Sequence, residues 1–190
     1  MDLSNLHKLG YFHGDFHSGN ILHIGEGTYV SDFGLSGPSN EQKSDKKVYG
    51  VLPYIAPEVL NGKPYTLSSD IYSFGVVMAE VSSGKPPFYK RNHDNSLALE
   101  ICNGLRPGFG KGTPEIYKKL AHRCMNANPN QRPTAIELTN ILDDWPYMKR
   151  NLMLFILVEY LHLKICQNPL IHLLLVLHIL MKKVIIKILN

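Results

Sequence analysis

A mainly α fold carrying one small β-hairpin is what this sequence predicts, on three observations. Ser68-Ser69-Asp70 reads as a helix start, and the run behind it, Ile71 to Ala79, is apolar on nearly all sides. A helix with no polar face belongs in the middle of a domain. Three further stretches, about 95–103, 115–125 and 134–142, also pattern as helices. Ile21–Ile24 and Thr28–Val30, either side of Gly25-Glu26-Gly27, read as a β-hairpin.

Taken in chain order, Leu3, Leu6 and Leu9 repeat at helical spacing and Gly10 supplies a stop. The chain then enters a polar loop, His13-Gly14-Asp15-Phe16-His17-Ser18-Gly19-Asn20, before the hairpin. Residues 35–55 are polar and irregular, with Gly37, Pro38, Gly50 and Pro53 as breakers. Gly84-Lys85-Pro86-Pro87 ends the central helix, and Asn128 to Pro133 punctuates the last two helices. At about residue 150 the composition shifts abruptly to Leu, Ile, His and Lys. We therefore divide the chain into a domain at 1–145 and an apolar tail at 146–190.

The 190 residues suffice for one domain with a proper core. Residues 1–150 carry 16 Lys and Arg against 15 Asp and Glu, and residues 151–190 carry 4 against 1. No block of five or six like charges occurs, so no nucleic-acid partner is expected. Cys102, Cys124 and Cys166 lie far apart and read as reduced thiols. The start, Met1 to Asn5, lacks a charged segment followed by an apolar core. Together these predict a cytoplasmic protein. His17, His93 and His122 read as surface residues, and no pair has zinc-site spacing. In the tail, Leu152–Val158 and Leu170–Met181 each fall short of the roughly 18 apolar residues of a spanning helix. Three readings of the tail stand open: a membrane- or protein-contacting segment, a set of packing helices, or an out-of-frame or intron-derived translation.

The chemistry concentrates in five motifs. These are His13-x-Asp15 with Asn20 five residues past the Asp, then Asp32-Phe33-Gly34, Ala56-Pro57-Glu58, Asp70-x-Tyr72-Ser73-x-Gly75, and Arg132-Pro133. Each is weak alone; five in this order resemble the C-terminal lobe of a eukaryotic protein kinase, most closely the tyrosine-kinase-like group of serine/threonine kinases. The resemblance covers residues 1 to about 145. It implies transfer of the γ-phosphoryl group of ATP to a Ser/Thr hydroxyl of a protein substrate, with Mg²⁺. It implies that Asp15 accepts the hydroxyl proton, that Asn20 and Asp32 hold Mg²⁺, and that Leu22 lies beneath adenine. His13, Phe33 and Gly34 would align the two loops, Glu58 would pair with Arg132, and Asp70 would accept N–H groups from the catalytic loop.

Departures from the family pattern are also legible. No glycine-rich loop, phosphate-binding lysine or partner glutamate precedes the catalytic loop, so the sequence reads as lacking the N-terminal lobe and as inactive in isolation. Gly14 stands where many kinases have Arg, His17 where Ser/Thr kinases have Lys, and Val51 where they have Thr. Ser36, Ser39, Ser44 and Tyr49 remain open to modification. The loops 63–66 and 85–92 are candidates for partner contact. Two alternatives are a pseudokinase-like scaffold and a small-molecule phosphotransferase, whose catalytic loop His13 to Asn20 also resembles.

Overall fold

A computed structural model describes residues 2–24, 27–40 and 48–144. The tail readings, Cys166 and Ser44 lie outside the described residues. Among the described residues no helix is long and apolar enough to cross a membrane.

Six α-helices and two two-stranded antiparallel sheets make up this part of the chain. Helix α1 (Leu3–Lys8) is capped by the Asp2 carboxylate and buries Leu3 and Leu6. Leu9 is 65% exposed, so the helical leucine repeat overcounts by one. The short strand β1 (Tyr11–Phe12) follows. It pairs with β4 (Gly37–Pro38), which sequence patterning merges into an irregular stretch. Strands of two residues carry no readable periodicity, and proline suits an edge position. Between them, β2 (Ile21–Ile24) and β3 (Gly27–Val30) form the expected hairpin, with Leu22 opposite Tyr29.

The centre is α3 (Leu67–Ser83). Its start lies earlier than the sequence suggests: Thr66 is the cap, with a reciprocal bond between its side chain and Ser69. This frees Asp70 to point inward. Ile71, Tyr72 and Val76 are almost fully buried, and Gly84 in the left-handed region ends the helix. Around it pack the short α2 (Pro57–Leu60), α4 (Asn95–Cys102), α5 (Glu115–Cys124) and α6 (Ala135–Asp143). Gly75 lets α5 approach α3 closely; a Cβ there would lie 2.8 Å from that of Cys124 and 3.0 Å from the Ala121 carbonyl oxygen. The shared core joins Leu97 and Ile101 of α4, Leu120 and Cys124 of α5, and Leu138 of α6. Burial lifts the Cys124 thiol to about 12, keeping it protonated as a small apolar packing group.

Candidate active site

The loop from His13 to Asn20 is held from beneath by one carboxylate. Asp70, 1% exposed, accepts the His13 N–H at 2.7 Å and the Gly14 N–H at 3.0 Å. Its Oδ2 also meets His7 Nε2 at 2.8 Å. A buried carboxylate is tolerated only with such partners, and here they fix two consecutive peptide units of the loop.

His13 then joins this loop to the next. Its Nε2 lies 2.9 Å from the Ser31 carbonyl, which can only accept, so this nitrogen carries the proton. Its Nδ1 is left to accept the Asp15 N–H, at 3.2 Å. The fully buried ring also packs against Phe33, 5.3 Å between centroids, and Phe16, 6.1 Å. One imidazole thus fixes the backbone of Asp15 and the residue before Asp32. A second tie runs beside it. The Ser31 N–H and hydroxyl both reach the Asn20 carbonyl, at 2.9 and 3.1 Å.

Asn20 is 9% exposed, and its Nδ2 donates to the Asp15 carbonyl at 3.0 Å. With the amide nitrogen so engaged, the amide oxygen is the group that can meet a cation. Asp32 is exposed, sits at φ 61°, and receives the Gly34 N–H at 3.4 Å. Asp tolerates this left-handed conformation better than most residues. The donor set is two hard oxygens on two tied loops. That suits Mg²⁺, which commonly takes one or two protein oxygens and completes its shell with water and phosphate. No group of three or more His, Cys, Asp or Glu side chains forms a self-sufficient metal site among the described residues.

Asp15 is approached from the other side by the segment after residue 48. Gly50, at φ 100°, lies so close that a Cβ there would stand 2.8 Å from Asp15 Oδ1. Tyr65 holds this segment by accepting the Tyr49 N–H at 3.2 Å while its hydroxyl donates to the Tyr49 carbonyl. His17 does not extend away as a surface residue. Its Nδ1 accepts the Gly19 N–H at 3.1 Å, leaving Nε2 3.7 Å from Asp15 Oδ2. Val51 is 40% exposed.

A buried network that motif reading misses lies below. Tyr54 donates to Glu80 Oε2 at 2.6 Å and the Ser18 hydroxyl to Oε1 at 3.1 Å. Burial raises the Glu80 carboxyl above its ordinary value, partly countered by these two bonds. Burial, then the charge of Glu80, pushes the Tyr54 phenol up. A signal for it exists in the sequence: Glu80 is an acidic residue inside an apolar helix, and such a group must find donors. Farther off, Arg132 and Glu58 form a two-pronged pair at 2.6 and 2.7 Å. Arg132 also donates to the Ser68 and Asn126 carbonyls, both at 2.8 Å, and lies over the Tyr72 ring. This pair is remote from the loops and bears on them through α3.

On β2, Leu22 is 40% exposed and shares a face with Ile24 and its cross-strand partner Tyr29. Phe33 is 42% exposed. The opposite face of the hairpin packs on the core through Ile21 and Val30. The outer face therefore offers an apolar platform beside Asn20 and Asp32.

A buried acidic anchor under one loop, an imidazole joining it to a second, and oxygen donors on both make up the candidate site. The protein kinase domain family matches residues 2–144, and the chain belongs to that family. It is 32% identical over 134 residues to a probable serine/threonine-protein kinase of Dictyostelium discoideum, covering 70% of this chain and 8% of that protein. It is 32% identical over 152 residues to the probable serine/threonine-protein kinase PkwA of Thermomonospora curvata, covering 76% and 20%. A probable LIM domain-containing serine/threonine-protein kinase of Dictyostelium discoideum is 31% identical over 141 residues, covering 74% and 22%. The chain thus spans under a quarter of the length of these relatives. The family implies use of ATP and Mg²⁺.

Proposed function

We propose that this chain carries the catalytic and metal-binding loops of a serine/threonine protein kinase, built as the C-terminal lobe of that fold. Asp15 orients the acceptor hydroxyl and takes its proton as the γ-phosphoryl group leaves ATP. Asn20 and Asp32 hold Mg²⁺ against the phosphates, and Leu22 supports adenine on the outer face of the hairpin. The observation that carries this reading is the His13 imidazole, which locks Asp15 and the approach to Asp32 into one unit. The tyrosine-kinase-like affiliation rests on the order and wording of the motifs. His17, with Nε2 near Asp15, occupies the position from which a cation would meet the transferred phosphoryl group.

Residues 1–12 hold no glycine-rich loop and one lysine, Lys8 on α1. We therefore expect a polypeptide of this length to transfer phosphoryl groups poorly, because ATP is not clamped and water is not excluded. Joining residues 2–144 behind the phosphate-clamping half of the PkwA kinase domain supplies those parts. The chimera should phosphorylate a Ser/Thr protein, and Asp15→Asn should cut the rate by roughly 10²-fold or more while nucleotide binding persists. Undiminished transfer by a folded Asp15→Asn chimera would rule out Asp15 as the proton acceptor. A scaffold without catalysis would instead show no transfer in a chimera that folds and binds Mg·ATP.

A further inference from the structure

A second concave surface lies between the turn that follows α3 and the loop before α5. It encloses about 450 Å³, within the range of ligand- and peptide-binding clefts. One wall carries Lys85, Tyr89, Lys90 and Arg91, and the other carries Lys111. Arg91 is already neutralised by a two-pronged pair with Glu100. Lys85, Lys90 and Lys111 have no carboxylate within salt-bridge distance among the described residues. Lys85 and Lys90 instead sit over the exposed Tyr89 ring, 5.0 and 5.6 Å from its centroid, and Lys85 reaches the Tyr89 hydroxyl at 3.3 Å. The single carboxylate in the lining, Glu80, has both oxygens turned to Tyr54 and Ser18.

The walls are fixed rather than loose. Gly110 packs so tightly on α3 that a Cβ would fall 1.9 Å from the Ser82 carbonyl oxygen. Phe88 is held at φ 57°, a conformation that a non-glycine residue keeps only where the surroundings enforce it. Uncompensated positive charge on two rigid walls, with an amphipathic ring between them, complements a flexible negative strand.

We infer that this groove docks an extended acidic segment of a protein partner. Three lysines confined to one groove, in a chain with no basic run, match a short peptide better than the phosphate track of a nucleic acid. Docking needs no phosphoryl transfer, so it can fail while the kinase reading stands, and the reverse.

The test is fluorescence anisotropy of the 190-residue chain with a labelled glutamate-rich peptide, a lysine-rich peptide and a single-stranded oligonucleotide of equal charge. The glutamate-rich peptide alone should bind. The double variant Lys85→Glu/Lys111→Glu should weaken it by about tenfold or more, with circular dichroism confirming an intact fold. Lys8→Glu/Lys119→Glu, an equal charge change outside the groove, should leave it within about twofold. Equal loss in both variants would show attraction to net charge only and overturn the proposal, as would tighter binding of the oligonucleotide. Asp32→Asn should leave peptide binding unchanged; a loss there would place the peptide on the catalytic loops and also overturn it.

Discussion

Asp70 meets three nitrogen donors with one buried side chain, and the loop geometry depends on it. Removing one partner of a buried charged network costs about 3–5 kcal/mol. Asp70→Ala should lose stability on that scale in urea melts, and Asp70→Asn less, since an amide oxygen can still accept one N–H. A loss below about 1 kcal/mol for the alanine variant would contradict the anchoring role. Glu80 gives a pH prediction. Its folded carboxyl titrates above the ordinary value of 4.5, so the native state keeps this proton longer than the unfolded chain. Its contribution is fully present below the unfolded value and declines as pH rises toward the folded one. Glu80→Gln removes this term, so its stability relative to the parent should improve as pH climbs from about 4. A parent–variant difference that stays flat with pH would contradict the assignment. Both carboxylates stand in the same apolar helix. Asp70 is readable in the sequence because it belongs to a motif; Glu80 is marked only as an acid inside an apolar helix, and its partners Tyr54 and Ser18, which come from distant segments, are not readable there.

At the scale of elements, α3 organises the domain through a cap and a glycine. Thr66 should contribute about 1 kcal/mol as the N-cap, measurable as the loss in Thr66→Ala. Gly75→Ala should also destabilise. Helix propensity favours alanine by about 1 kcal/mol, yet the added methyl would collide with Cys124 and the Ala121 carbonyl. Overpacking of this kind costs about 1–3 kcal/mol, so a net loss in thermal unfolding is expected, and a gain would refute the close approach. Long elements such as α3 and the β2–β3 hairpin are legible because apolar periodicity accumulates over many residues. The β1–β4 pair, two residues a side, and α2, four residues long, are decided by tertiary contact and leave no periodic trace. Sequence misplaces the start of α3 because Ser68 and Ser69 are themselves good cap residues, and only the geometry shows Thr66 taking the position.

For the whole molecule, the Glu58–Arg132 pair joins segments 74 residues apart and closes the domain around α3. Arg132→Lys loses the two-pronged geometry while keeping charge, so it should lower stability, with a smaller loss than Arg132→Ala in the same unfolding assay. The pairing is foreseeable from family resemblance alone; nothing in local sequence connects residues 58 and 132. The same holds for the loops of the candidate site. Residue types at 13, 15, 20 and 32 suggest the chemistry, whereas the His13 tautomer, the Ser31–Asn20 tie and the approach of Gly50 to Asp15 emerge only from the fold. Everything proposed for the site turns on Asn20 and Asp32 converging on one metal beside Asp15. Paramagnetic broadening of backbone amide signals by Mn²⁺ with ATP tests this most directly on the chain itself. Broadening should centre on residues 15, 20 and 32–34 and be lost in a folded Asp32→Asn variant. Broadening centred elsewhere, or unchanged by that substitution, would contradict the shared metal site.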